Sequence, residues 1–265
     1  MASDVPTGFT LYAGPSRLDP GVPIICVATM SSNNAKTGDM VQTWIMLADT
    51  SPTDAVRTGA DAAVCGNCAH RPSRVAETLE APCYVVTAQA PTSVWHAYHR
   101  GMYPRADARF TQALAGRMVR FGSYGDPAAL PTHTIMGLAM HARGWTGYTQ
   151  QWRIRPSLRG FLMASVSTPE EAYEAQALGW RTFRIMQPDD APSPAEFICP
   201  ASPEGGDRMT CAECRACDGA PKGNRRTSPV IVEHGSGLRR VIRLRADRSP
   251  RGADRSTHTT HEVAA

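Results

Sequence analysis

The stretch "FLMASVSTPEEAYEAQALGWRTFRIM", residues 161–186, constrains the fold of this chain most. Two short apolar runs, 161–167 and 180–186, flank a helix whose two ends are both marked. Thr168 is placed to cap it, Pro169 suits its first position, Glu171 stands three residues after the cap, and Gly179 ends it. Strand, short helix and strand in such close succession make a βαβ unit, which requires a parallel pair.

The alternation extends along the chain. Strands are expected at 22–30 ("VPIICVATM"), 40–47 ("MVQTWIML"), 83–89 ("CYVVTAQ"), in "RMVRFGSYGDP" and at 229–235 ("PVIVEHG"). Helices are expected in "SPTDAVRTG", "APTSVWHAYHRGMY", "DARFTQALAG" and "THTIMGLAMHARG", with "WTGYTQQW" leading out of the last. The expected fold class is α/β: a partial βα barrel or an open, mostly parallel, doubly wound sheet, with a Cys-rich metal-binding loop near the C-terminus. Ligands in both architectures bind at the C-terminal ends of the strands. That rule singles out loops 31–39, 87–92, 122–131, 165–169 and 187–199.

At 265 residues, 42% hydrophobic and 20% charged, the chain can bury its own core. No apolar run reaches the length of a membrane span, and "MASDVPTGFTLYAGPSRLDPG" lacks the features of a signal peptide. A cytoplasmic, reducing location is therefore expected, with no membrane partner. The eight cysteines there suggest metal ligands more than disulfides. Residues 1–236 are read as one metal-binding domain and 237–265 as a basic, disordered tail. From Lys222 onward ten basic residues face four acidic ones, so the body before it is nearly neutral. The tail, with Arg239, Arg240, Arg243 and Arg245, offers nucleic acid as a partner.

Seven cysteines form two groups. Group one is Cys65, Cys68 and Cys83, spaced C-x2-C-x14-C, with His70 nearby as a fourth donor. Group two is Cys199, Cys211, Cys214 and Cys217, spaced C-x11-C-x2-C-x2-C. Four thiolates suit a structural zinc ion or an iron–sulfur cluster, and the C-x2-C-x2-C run tilts toward iron–sulfur. Three thiolates leave one iron of a four-iron cluster open, whereas Cys3His would close a zinc site. A single site built from both groups is a further alternative. Cys26, inside an apolar strand, reads as a small buried hydrophobe.

Two loops carry other candidates. In "RFGSYGDP" Ser123, Gly125 and Asp126 allow a cofactor close to backbone, or Asp126 simply caps the next helix. In "GYTQQW" Tyr148 and Gln151 are candidates for lining a pocket, with core packing as the alternative. No phosphate-binding glycine motif is present, and the sequence names no general acid or base.

The combination "CGNCAHR…PCYV", "RFGSYGDPAALP", "TGYTQQW", "LMASVSTPEEAYEAQALGWRTFRI", "CPAS…TCAECRAC" and "IVEHG" resembles a family of cysteine-rich bacteriophage-encoded proteins of uncharacterised activity. The resemblance spans most of residues 10–236. More distantly, the chain is similar to phage proteins regarded as relatives of radical SAM enzymes. That resemblance implies a host-cell cytoplasmic setting, a cluster on group one that cleaves S-adenosylmethionine, and an accessory cluster on group two. The chain departs from that pattern in two ways. Radical SAM enzymes place C-x3-C-x2-C after the first strand, whereas the spacing here is C-x2-C-x14-C and the loop after the first expected strand, "SSNNAKTGD", has no cysteine. A zinc-stabilised, nucleic-acid-binding or replication-associated protein is the alternative function.

Overall fold

The computed structural model describes residues 5–71, 73–75, 78–80, 83–221 and 226–232. The expected tail 237–265 lies outside the described residues, as does the end of the strand expected at 229–235.

A mixed α/β architecture is built on an open, mostly parallel sheet of nine strands. It begins with β1 (Gly8–Pro15), β2 (Pro23–Thr29) and β3 (Val41–Leu47), paired antiparallel in sequence. From β3 onward every pairing is parallel: β6 (Met118–Tyr124), β7 (Gly144–Thr149), β8 (Met163–Val166) and β9 (Thr182–Met186) follow in order. The far edge reverses once, with β11 (Ser228–Val232) on β9 and β10 (Glu196–Ile198) outermost. The sheet does not close. Its sequential order from β1 to β9 differs from a doubly wound sheet, in which the order turns back from the middle. A separate hairpin pairs β4 (Ser73–Val75) with β5 (Thr78–Glu80).

The helices follow their caps. Ser51 accepts from the Asp54 amide to start α1 (Pro52–Thr58), and Gly59 ends it in the left-handed region at φ 81°. Thr168 accepts from the Glu171 amide at the start of α6 (Pro169–Ala177). Short α2 (Ala62–Cys65) follows α1, and α3 (Ala90–His99), α4 (Ala108–Leu114) and α5 (Thr132–His141) complete the crossovers up to β7.

The two faces of the sheet have different roles. Val41, Ile45 and Leu47 of β3, Val119 and Phe121 of β6, and Ala164 and Val166 of β8 pack with Phe110, Leu114, Ile135, Leu138, Ala172 and Ala175. This is the main core, and each large side chain in it contributes roughly 1.5–3 kcal/mol. The opposite face carries Arg120, Tyr124, Tyr148 and Phe183 and is left for the site.

Three expectations need correction. Residues 83–89 form bends and a turn ahead of α3, not a strand, because among the described residues no strand pairs with them. Strands β1, β4, β5, β7 and β10 are additional to the expected ones. Loop 31–39 lies at the N-terminal ends of the parallel strands, because β2 runs antiparallel to β3.

Candidate functional site

A cavity of about 310 Å³ opens on the sheet face turned away from the main core. Alternation supplies its wall: Arg120 and Tyr124 from β6, Thr146 and Tyr148 from β7, Ser165 from β8, and Phe183 and Ile185 from β9. All seven cysteines of the two groups line this one cavity. Cys26 does not; it is fully buried in the main core, and burial raises its thiol pKa.

Group one stands at the C-terminal ends of the strands. Cys65 ends α2, in the connection that follows β3. The Asp126 amide donates to the Val64 carbonyl at 2.7 Å, and Gln151 Nε2 donates to the Cys65 carbonyl at 3.1 Å. These bonds tie the loop to the ends of β6 and β7. A side chain at Gly66 would meet the Gln151 amide at 2.4 Å, and its φ of 60° already favours glycine. Arg71 grips Asp61 with both ends of its guanidinium, at 2.9 and 2.7 Å, and also the carbonyls of Gly59 and Gly66. Burial pushes the Cys65 and Cys68 thiols up, the latter to about 12, and neighbouring thiols and carboxylates add to it. Burial also raises Cys83.

Cys211 and Cys217 of group two lie toward the N-terminal ends of β3 and β7, whereas Cys199 directly follows β10. The Thr210–Glu213 capping box starts α7 (Cys211–Cys214), and the Cys211 amide donates to the Lys36 carbonyl at 2.9 Å. The Gly147 amide donates to the Cys217 carbonyl, and Trp145 Nε1 donates to the Asp218 carbonyl, both at 3.0 Å. Arg181 bonds the Asp218 carboxylate and the carbonyls of Gly219 and Thr227 at 2.9–3.0 Å. Edge strand β10 delivers Cys199, which packs with Cys211 on Met40 and Met118. Burial raises Cys199 and Cys211, opposed by the charge of Lys36 at both and of Arg120 at Cys211. Burial pushes Cys217 to about 12 despite a hydrogen bond from Tyr148.

The remaining candidates divide. Ser123, Gly125, Asp126 and Tyr148 line the cavity, whereas Gln151 does not; it positions Cys65 from behind, and Gln150 takes the lining place. Ser123 donates to Gln42 at 2.5 Å. Asp126 accepts from the Ala128 and Gln150 amides, each at 2.8 Å, so it caps the 127–129 turn and clips β7 to β6. Its pKa rises to about 6 because burial outweighs those bonds. Gly125, at φ 77°, leaves no room for a side chain beside Ile45.

Arg120, Lys36, Tyr124 and Thr146 were not among the candidates. The signal for two of them was the period-2 alternation in "RFGSY", which puts residues 120, 122 and 124 on one face. Among the described residues, no three Cys, His, Asp or Glu side chains converge as a single metal ion requires. No disulfide joins any of the eight cysteines. No helix of the described residues is long and apolar enough to cross a membrane. No protein-family model, curated protein or solved structure matches the chain.

Proposed function

We propose that this protein is an iron–sulfur enzyme with two cysteine-held clusters at the two ends of one substrate cavity. Cys65, Cys68 and Cys83 hold the cluster with an open iron position, and Cys199, Cys211, Cys214 and Cys217 hold a closed one. The observation that carries this reading is that both groups, far apart in sequence, line the same cavity. Two further points support it. Tetrahedral zinc draws its thiolates to about 3.8 Å from one another, as Zn–S bonds of about 2.3 Å demand. A cluster spreads its ligands over several irons and does not need them to meet at one point. The group-one loop also follows β3, the first strand of the parallel run. That is where the distantly similar radical SAM enzymes carry their cysteines, so S-adenosylmethionine is the co-substrate this reading favours. Such a cluster would supply one-electron reduction; the chain's own residues bind, orient and exclude water.

The test is anaerobic purification, reconstitution with iron and sulfide, metal analysis and a visible spectrum. The expected result is a brown protein with several irons per chain, losing part of its iron in Cys68→Ser and a different part in Cys214→Ser. A colourless protein that carries zinc and no iron overturns the reading and favours a zinc-stapled binding protein.

A further inference from the structure

Between the two cysteine groups the cavity holds a cation with no carboxylate partner and a hydroxyl with no hydrogen-bond partner among the described residues. Arg120 and Thr146 are partners across the β6–β7 ladder, so their side chains leave the same face side by side. Among the described residues Arg120 makes no ion pair with a carboxylate; its guanidinium lies over the Tyr148 ring, 5.4 Å from the centroid, and the Tyr148 hydroxyl and the Cys211 thiol are ionisable groups beside it. A guanidinium cannot shed its proton, and its planar fork is matched best by a carboxylate. Thr146 is 1% exposed, lines the cavity, and its hydroxyl has no hydrogen-bond partner among the described residues. A buried hydroxyl left without a partner also costs free energy. Lys36, one of only two lysines in the chain, lines the same cavity. The rest of the wall is apolar: Tyr148 and Phe183 stack at 4.4 Å between centroids, continued by Ile185 and Ile231.

We propose that this cavity binds a small organic acid, with its anionic group on Arg120 and the Thr146 hydroxyl and its apolar body against Tyr148 and Phe183. The anion supplies the carboxylate that Arg120 lacks among the described residues and accepts the hydrogen bond that the Thr146 hydroxyl has no partner for. A volume of about 310 Å³ is near the lower limit for ligand pockets, which keeps the acid small. This site stands beside the cluster reading and does not need it.

The probes are benzoate and hexanoate, with benzamide as the uncharged isostere and inorganic phosphate as a bare anion. Calorimetry on the full chain, as purified and again after metal removal, gives their affinities. One of the two acids is expected to bind in both states, and benzamide and phosphate at least tenfold more weakly. Arg120→Gln should weaken the acid about a hundredfold, the scale of a charge-assisted pair. Thr146→Val should weaken it about tenfold while leaving the free protein at least as stable, because it removes an unpartnered hydroxyl. This second variant keeps the test alive if Arg120→Gln does not fold.

The proposal is overturned if neither acid binds, if benzamide or phosphate binds as tightly, or if Thr146→Val binds unchanged. It is also overturned if Arg120→Gln loses metal yet keeps its affinity for the acid, since the guanidinium would then serve the thiolates alone. If the chain takes up no iron on anaerobic reconstitution and still binds the acid, the cluster reading falls and this one stands.

Discussion

Compare the chain around Cys211–Cys217 with the chain around Cys65–Cys83. The first is woven into the sheet: its backbone exchanges hydrogen bonds with residues 36, 147 and 159, and Arg181 clamps Asp218 and Gly219 from the start of β9. The second is fastened at its beginning, where Gln151 and Arg71 hold Cys65 and Gly66, and runs on through the short β4–β5 hairpin. The charges differ as well. Lys36 and Arg120 stand beside group two and favour thiolate, while Asp61 and Asp126 stand near Cys65 and disfavour it. A metal at group two would therefore be part of the framework of the fold. A metal at group one would have Arg71 as its nearby cation against the carboxylates of Asp61 and Asp126, and would serve the cavity more than the fold.

The sharpest way to break this contrast is a matched pair of substitutions. Cys211→Ser should cost on the order of 5 kcal/mol in anaerobic denaturant unfolding, because binding energy at a structural metal is folding energy. Cys68→Ser should cost less than about 1 kcal/mol while removing its share of metal. Equal losses would dissolve the distinction between a structural group and an open one.

Next in size is the Arg181 clamp. Arg181 is 6% exposed and its partner Asp218 is partly buried. Arg181→Met should cost about 3–5 kcal/mol, since breaking a buried ion pair strands the other charge and leaves carbonyls bare. Group-two metal should fall with it and group-one metal should not. Metal loss from both groups alike would mean that the two ends of the cavity are one cooperative unit.

Smaller, and dependent on pH, is the pair that anchors β10 ahead of Cys199. Arg184 Nε and Nη2 hold the Glu196 carboxylate at 3.0 and 2.8 Å, with both side chains 2% exposed. Burial pushes the Glu196 carboxyl up, but Arg184 and the Ser193 amide outweigh it and hold it below its ordinary 4.5. A depressed folded-state pKa adds stability that is fully present above the unfolded value and is lost as pH falls through the folded one. Glu196→Gln should therefore cost about 2–3 kcal/mol at neutral pH. Its gap to the parent chain should narrow as pH drops below 4.5, read by urea unfolding at successive pH values. A gap independent of pH would show that shape, not charge, holds β10.

Much of this comparison was legible before any coordinates. The capped helix between two apolar runs gave α6 with its flanking strands, and Ser51 and Gly59 bounded α1. Strand β7 escaped because "GWTGYT" has no apolar run: one face of it lines the cavity and carries Thr146 and Tyr148. Strand β10 is three residues long and is held by Arg184 as much as by its ladder. Apolar periodicity does not report strand direction, so nothing in "VPIICVATM" said that β2 runs against β3. Reversing it moves loop 31–39 to the far end and makes the cysteine-bearing connection after β3 the first at the C-terminal ends. The grouping of the cysteines was visible in their spacing, whereas their sharing one cavity depends on contacts between residues 65 and 151 and between 147 and 217.

The smallest expected effect is at Tyr124, and its sign separates a ligand role from a packing role. Tyr124 is 4% exposed, lines the cavity on the group-one side, and its hydroxyl has no hydrogen-bond partner among the described residues. Burial raises its pKa, and the nearby Cys65 and Asp61 push the same way, so the group stays a neutral donor. In the metal-free chain Tyr124→Phe deletes a polar atom that bonds to nothing, and stability should rise by about 1 kcal/mol. When group one is filled, the same deletion removes a donor aimed at whatever occupies the open position, and the gain should shrink or reverse. Differential scanning of parent and variant, with and without metal, reads both signs. A stabilisation of the same size in both states would show that the hydroxyl faces nothing at group one, and would weaken the view that this end of the cavity is the open one.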